Sequence, residues 1–340
     1  MAAGLLFLLF LGVNLRYPFV SYKPNFSATY SFGLEGLFKP LEESLLTLFF
    51  WGMSLLLMLR RSLLVEVTTT NERRWAVFYA LSLLLGLPMQ WRHFTVAAAF
   101  FVLTLLYNFI YTAYLETDNK RETTLTPMVS STIGIGCCIM AILSPSALIF
   151  IPVLIGDIFR YHLFSLKSLI ALLLGLGGTL FLLSPFCWSM LFGYSLFEGT
   201  LSFLADSNAY FSAYLTHALY TFTFQPIWQL SFVGNERFFF SLMTILATAL
   251  IASNAALTRN FNNETKRKRE LSAIDLRLLL PLLLGVFFLP FLYDCLLWIT
   301  LPLAFSAAYG NGRRVSSLYR TTLIFVIGLF TVIQYLFFLF

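Results

Sequence analysis

Three acids near the start of the chain, Glu35, Glu42 and Glu43, and five basic or imidazole residues, Arg16, Arg92, His93, His217 and Arg237, are of the types that could do chemistry together. A carboxylate can take a proton from an attacking hydroxyl, and Arg or His can hold a phosphate through charge-assisted hydrogen bonds. That combination suits a lipid-linked anionic substrate, with Glu as general base and the cations on phosphate. Taken singly, each of these residues also reads as an ordinary solvated loop side chain.

The elements that would have to position them are set by composition. Of 340 residues 59% are hydrophobic, 38 are Phe and only 11% are charged. Apolar runs recur at lengths suited to a hydrocarbon core of roughly 30 Å. The sequence therefore predicts an all-α, polytopic transmembrane bundle forming one integral membrane domain, 1–340, with no separate soluble domain. Runs between charged or Pro/Gly-rich breaks place about eleven spans (10 to 12) near 2–14, 44–59, 75–89, 94–115, 127–142, 146–159, 168–191, 237–257, 278–292, 296–310 and 321–339. The first run lacks the basic residues and cleavage site of a signal peptide and reads as a span.

Charge gives the threading. The loop 259–277, which contains "ETKRKRE", carries six basic residues and belongs on the cytoplasmic side, whereas 192–210 has Glu198 and Asp206 and no Lys or Arg. An odd number of crossings must separate them. The run 237–257 supplies one, which leaves the aromatic stretch 208–233 as extracytoplasmic interfacial structure, within a segment near 195–235. Tyr210, Tyr214, Tyr220 and Trp228 suit an interface, and Pro226 breaks a spanning helix. The alternative is a twelfth span. With the N-terminus inside and the C-terminus outside, 17 of the 22 Lys and Arg fall on the cytoplasmic face. The net charge of +6 then speaks for anionic lipid, not nucleic acid.

Other motifs read as structure. "GLGG" at Gly175–Gly178 and "GIG" at Gly134–Gly136 lie in apolar helices, where small residues admit close helix approach. "YGNGRR" reads as a turn. Cys137, Cys138, Cys187 and Cys295 read as small buried hydrophobes. His93, His162 and His217 are scattered, and neither a P-loop nor an H-E-x-x-H occurs, so no metal or cofactor is expected. Asp157 stands three residues before Arg160 and is expected to pair with it on one helix face. Asp294 is expected in the last outer turn.

Two stretches carry a resemblance. Residues 128–186, a hairpin broken at Pro145, a basic loop with "SLKS" and a Gly-rich helix, resemble a recurring unit of bacterial multi-pass proteins. Residues 259–327 resemble the C-terminal half of an uncharacterised family of bacterial inner-membrane proteins. The first unit also looks like one in GT-C glycosyltransferases, which use polyprenyl-phosphate sugars and place a catalytic acid in the first outer loop. That resemblance implies that "LRYPF" leaves the first span and that Glu35, or the pair Glu42 and Glu43, supplies the acid. The first outer loop here has no Asp-Glu pair at its start. The expected function is accordingly a non-enzymatic component of the cytoplasmic membrane, a scaffold or transport subunit whose partners are membrane lipids and other membrane proteins. A GT-C-like transferase, or a degenerate relative, acting on a lipid-linked sugar at the outer face is the alternative.

Overall fold

The computed structural model describes residues 40–64, 70–86, 94–120, 125–160, 165–192, 207–232, 236–260 and 277–309, with scattered positions between 321 and 332. Among these residues the fold is all-helical, with one isolated bridge and no strand. Three helical stretches, Phe94–Ala113, Leu166–Pro185 and Leu289–Ala308, are long and apolar enough to cross a membrane; Leu45–Arg60, Pro127–Leu143 and Phe238–Ser253 are shorter apolar helices. The chain divides into two compact units, one of Pro24–Met58 with Trp91–Thr223 and one of Met1–Lys23, Leu59–Gln90 and Phe224–Phe340.

In the first of these, helix α1 (Pro40–Leu64) begins at a proline and carries Glu42 and Glu43 in its first turn, where proline fits and acids complement the helix dipole. Phe50 of α1 meets Phe101, with ring centroids 5.9 Å apart, on the long helix α3 (Phe94–Lys120), which follows α2 (Thr70–Gly86) in the chain. Helix α4 (Pro127–Leu143) is announced by Thr126, whose hydroxyl accepts from the Val129 N–H, and by Pro127 at its first position. It stops where Pro145 forces the residue before it out of the helical region. Ser144 is extended, at φ −151° and ψ 119°, and Pro145 opens a short 3-10 turn that leads into α5 (Phe150–Arg160). The expected break at Pro145 is thus present.

Helix α6 (Leu166–Phe192) is tied to α4 at its start, because the Ser168 hydroxyl donates to the Leu125 carbonyl at 2.9 Å. Further along, Gly134 of α4 lies against the backbone of Leu172 and Leu176, and Gly175 of α6 lies against the backbone of Ser131. The two helices therefore run in the same direction, and the chain returns between them through the 3-10 turn and α5. Gly136 opposes Leu106 of α3. The packing role expected of these glycines holds for Gly134, Gly136 and Gly175, whereas Gly177 and Gly178 face open space. One face of α6 is exposed, with Leu174, Phe181 and Leu182 outward. Helix α7 (Ser207–Thr221) completes the described helices of this unit.

The other unit is built on α10 (Leu289–Tyr309), which follows α8 (Glu236–Asn260) and the short α9 (Pro281–Gly285) in the chain. Helix α10 is buried on nearly every side: Phe291, Leu292, Cys295, Trp298, Ile299, Leu301 and Phe305 are all enclosed, as a central helix requires. It packs against α2 and α8. The Phe238 ring, in the first turn of α8, sits 4.8 Å from that of Tyr293, near the start of α10. The N-terminal ends of the two helices meet, so they run in the same direction.

Here the structure departs from the sequence reading. Two spans, 278–292 and 296–310, were expected on either side of a turn at Asp294. Instead one helix runs through Asp294 and Pro302, while 278–288 forms turns and the single-turn α9. An Asp costs a helix only several tenths of a kcal/mol against Ala, too little to end it. At 21 residues and 1.5 Å per residue, α10 is about 30 Å long. The real break comes earlier, where Gly285 lies against Leu292; a Cβ there would come 2.7 Å from the Leu292 side chain. The three described cysteines, Cys137, Cys138 and Cys295, are free and buried, as expected of small hydrophobes.

Candidate functional site

Of the eight residues singled out for chemistry, the structure describes the side chains of two. Glu42 is exposed and Glu43 is buried. Adjacent positions on a helix point about 100° apart, and these two carboxylates accordingly stand in different surroundings. Arg16, Glu35, Arg92 and His93 lie outside the described residues. His217 falls within α7 and Arg237 is the second residue of α8, but their side chains also lie outside the described set.

What the structure does bring together is a different polar pair. The Tyr107 hydroxyl, on the inward face of α3, donates to Asp157 Oδ2 on α5 at 3.0 Å, and both side chains are enclosed. Asp157 is only 2% exposed. Arg160, the expected partner, is exposed at the last residue of α5, while the Asp157 carboxylate is turned inward to the tyrosine. The correction has a simple cause. A carboxylate turned inward from a short helix needs a donor from the neighbouring helix, whereas a long Arg at the helix end gains more from water and from the last carbonyls. A buried Tyr likewise seeks a partner for its hydroxyl. That need is visible in the sequence; its target, fifty residues away, is not.

A second polar contact fastens α7. The Tyr214 hydroxyl donates to the Ala141 carbonyl at 2.9 Å, one of the last four carbonyls of α4, which have no acceptor role inside their own helix. Burial, helped by Cys138, holds the Tyr214 hydroxyl protonated well above its ordinary range. Helix α7 also packs on the 3-10 turn at Pro145–Ile149. The 15-residue α7 is therefore placed at the tip of the α4–α5 hairpin.

Other interior hydroxyls turn back on their own helices. Ser54 donates to the Phe50 carbonyl, Ser82 to Phe78, Thr104 to Phe100, Thr244 to Phe240, Thr248 to Thr244 and Thr300 to Leu297. Each bond satisfies a hydroxyl in place. The chain matches no protein-family model, no curated protein and no solved structure.

Proposed function

We propose that this chain is a multi-pass protein of the bacterial cytoplasmic membrane that acts as a non-enzymatic component, a scaffold or transport subunit whose helices pack against lipid and against membrane-protein partners. The observation that carries the reading is that interior hydroxyls such as those of Ser54, Thr104, Thr248 and Thr300 bond carbonyls of their own helices and so serve the helices that hold them. Catalysis needs the opposite, groups held within about 3 Å of a reacting atom.

The threading belongs to the same proposal: the N-terminus and the basic run at 264–270 cytoplasmic, the C-terminus extracytoplasmic, and interfacial helices near 195–235. Two features support the last point. Helix α7 sits at a hairpin tip, and it exposes Phe211, Leu215 and Leu219, as a helix lying at a membrane surface does.

The test is a transfer assay. The protein in lipid nanodiscs is given a polyprenyl-phosphate-linked sugar and candidate acceptors, and release or transfer of the sugar is followed. The reading expects no turnover above empty nanodiscs. Turnover that disappears in Glu42→Gln or Glu43→Gln would overturn it and establish the transferase alternative.

A further inference from the structure

The unit built on α10 carries a non-helical apolar surface that the helix packing does not use. After α7 the chain becomes extended and pairs in parallel with the turn before α10. The Gln225 N–H donates to the Phe287 carbonyl and the Ile227 N–H to the Val286 carbonyl, each at 3.0 Å, and the Leu289 N–H returns to the Gln225 carbonyl, also at 3.0 Å. A short 3-10 turn, Ile227–Gln229, closes the segment. Its backbone polar groups are thus largely satisfied without water.

Above this pairing stands an aromatic group. The Phe287 ring stacks on Phe224, with centroids 6.4 Å apart and planes 22° from parallel, and meets Trp228 edge-on at 5.8 Å. All three rings are exposed, Trp228 by 63%, and Leu280 and Leu283 extend the surface at 54% and 67%. Neither contributing stretch is charged: no Asp, Glu, Lys or Arg occurs in 207–235 or in 278–293.

An exposed apolar face of this kind on a water-facing protein would mark a protein interface or an aggregation liability. Three features select lipid instead. The absence of charge extends over both contributing segments, where a protein interface has a polar rim. The backbone is internally bonded, which irregular chain must be to sit near hydrocarbon. Trp228, of the residue type that favours the boundary between headgroups and acyl chains, stands beside Phe and Leu side chains that suit the apolar side of that boundary. We propose that Phe224–Gln229 and Leu280–Phe288 form an uncharged platform that inserts into one leaflet at the headgroup boundary and takes phospholipid acyl chains as its partner. The rings would enter by roughly 5–10 Å. This deepens the interfacial reading given above and rests on it.

Site-directed spin labelling in phosphatidylcholine vesicles tests the proposal. Single nitroxides are placed at Trp228 and Leu283, at Leu174 on the exposed face of α6, and at Arg160. Expected are collision rates with oxygen above those with a water-soluble nickel chelate at 228, 283 and 174, and the reverse at 160. Nickel dominance at 228 and 283 with oxygen dominance at 174 overturns the platform and leaves the membrane reading standing. Nickel dominance at 174 as well overturns both. A Gln225→Cys, Phe288→Cys pair should form a disulfide on mild oxidation, and its failure to do so in folded protein would also overturn the platform. Because the surface is uncharged, adding phosphatidylglycerol should leave the 228 and 283 accessibilities unchanged; a shift toward lipid that requires the anionic headgroup counts against it.

Discussion

Replacing Gly134 with Ala tests whether α4 and α6 owe their contact to missing side chains. A Cβ on Gly134 would land on the Leu172 carbonyl oxygen, and it would lie 2.9 Å from the Leu176 nitrogen and 3.0 Å from the Leu172 carbonyl carbon. All of these are backbone atoms, so no rotamer change relieves the clash and the helices must separate by on the order of 1 Å. Overpacking of this kind costs about 1–3 kcal/mol. Ala recovers roughly 0.8–1 kcal/mol of helix propensity relative to Gly, which leaves a net loss of up to about 2 kcal/mol. Gly177, where a Cβ would meet nothing within 4 Å, is the control, because there Ala brings the propensity gain alone. The assay is the fraction of detergent-solubilised protein that stays monodisperse after heating. Gly134→Ala should lower the midpoint, and Gly177→Ala should hold or raise it. Equal midpoints for Gly134→Ala and the parent, or an equal fall in both variants, would refute the argument.

Tyr107→Phe removes the donor that faces Asp157 and should destabilise the protein by about 1–3 kcal/mol, while Arg160→Ala should change stability by no more than about 0.5 kcal/mol; thermal unfolding of both separates the cross-helix bond from the same-helix pair. Tyr214→Phe frees the Ala141 carbonyl and should cost about 1 kcal/mol. The same hydroxyl gives a pH dependence. Its folded value is raised above the ordinary 10, so its contribution is complete below pH 10 and declines as pH rises beyond it. A midpoint that falls more steeply above pH 10 in the parent than in Tyr214→Phe is the expected result, measured by the same heating assay.

How much of this was legible in the sequence depended on whether the signal was local. Thr126-Pro127 and Ser144-Pro145 mark the two ends of α4 through backbone rules that act over a few residues, and the structure follows them. Apolar runs located most helices, because burial or lipid contact demands them. The same runs misplaced the boundary near Asp294, since hydropathy records the cost of a charge but not whether the neighbouring helix bonds survive it. Packing contacts were legible only in part: the glycines indicated close approach, yet nothing in "GLGG" says that Gly175 faces α4 while Gly177 and Gly178 face outward. Tyr107 and Asp157 were invisible as a pair because their meeting depends on how α5 folds back. The platform at Gln225 and Phe288 was hidden for the same reason, since two apolar segments about sixty residues apart acquire a joint surface only by pairing. Of the proposed chemistry, the different surroundings of Glu42 and Glu43 follow from their adjacent places in the first turn of α1.

The most direct measurement of the central claim, a multi-pass membrane protein with its basic loop inside and its aromatic segment outside, is labelling of single cysteines in intact cells with an impermeant thiol reagent. The described native thiols are buried and should contribute little background. Cysteines placed at Ser207 and Phe340 are expected to react from outside, and one at Asn263 only after the membrane is permeabilised. Labelling of Asn263 in intact cells, or protection of Ser207, would contradict the account.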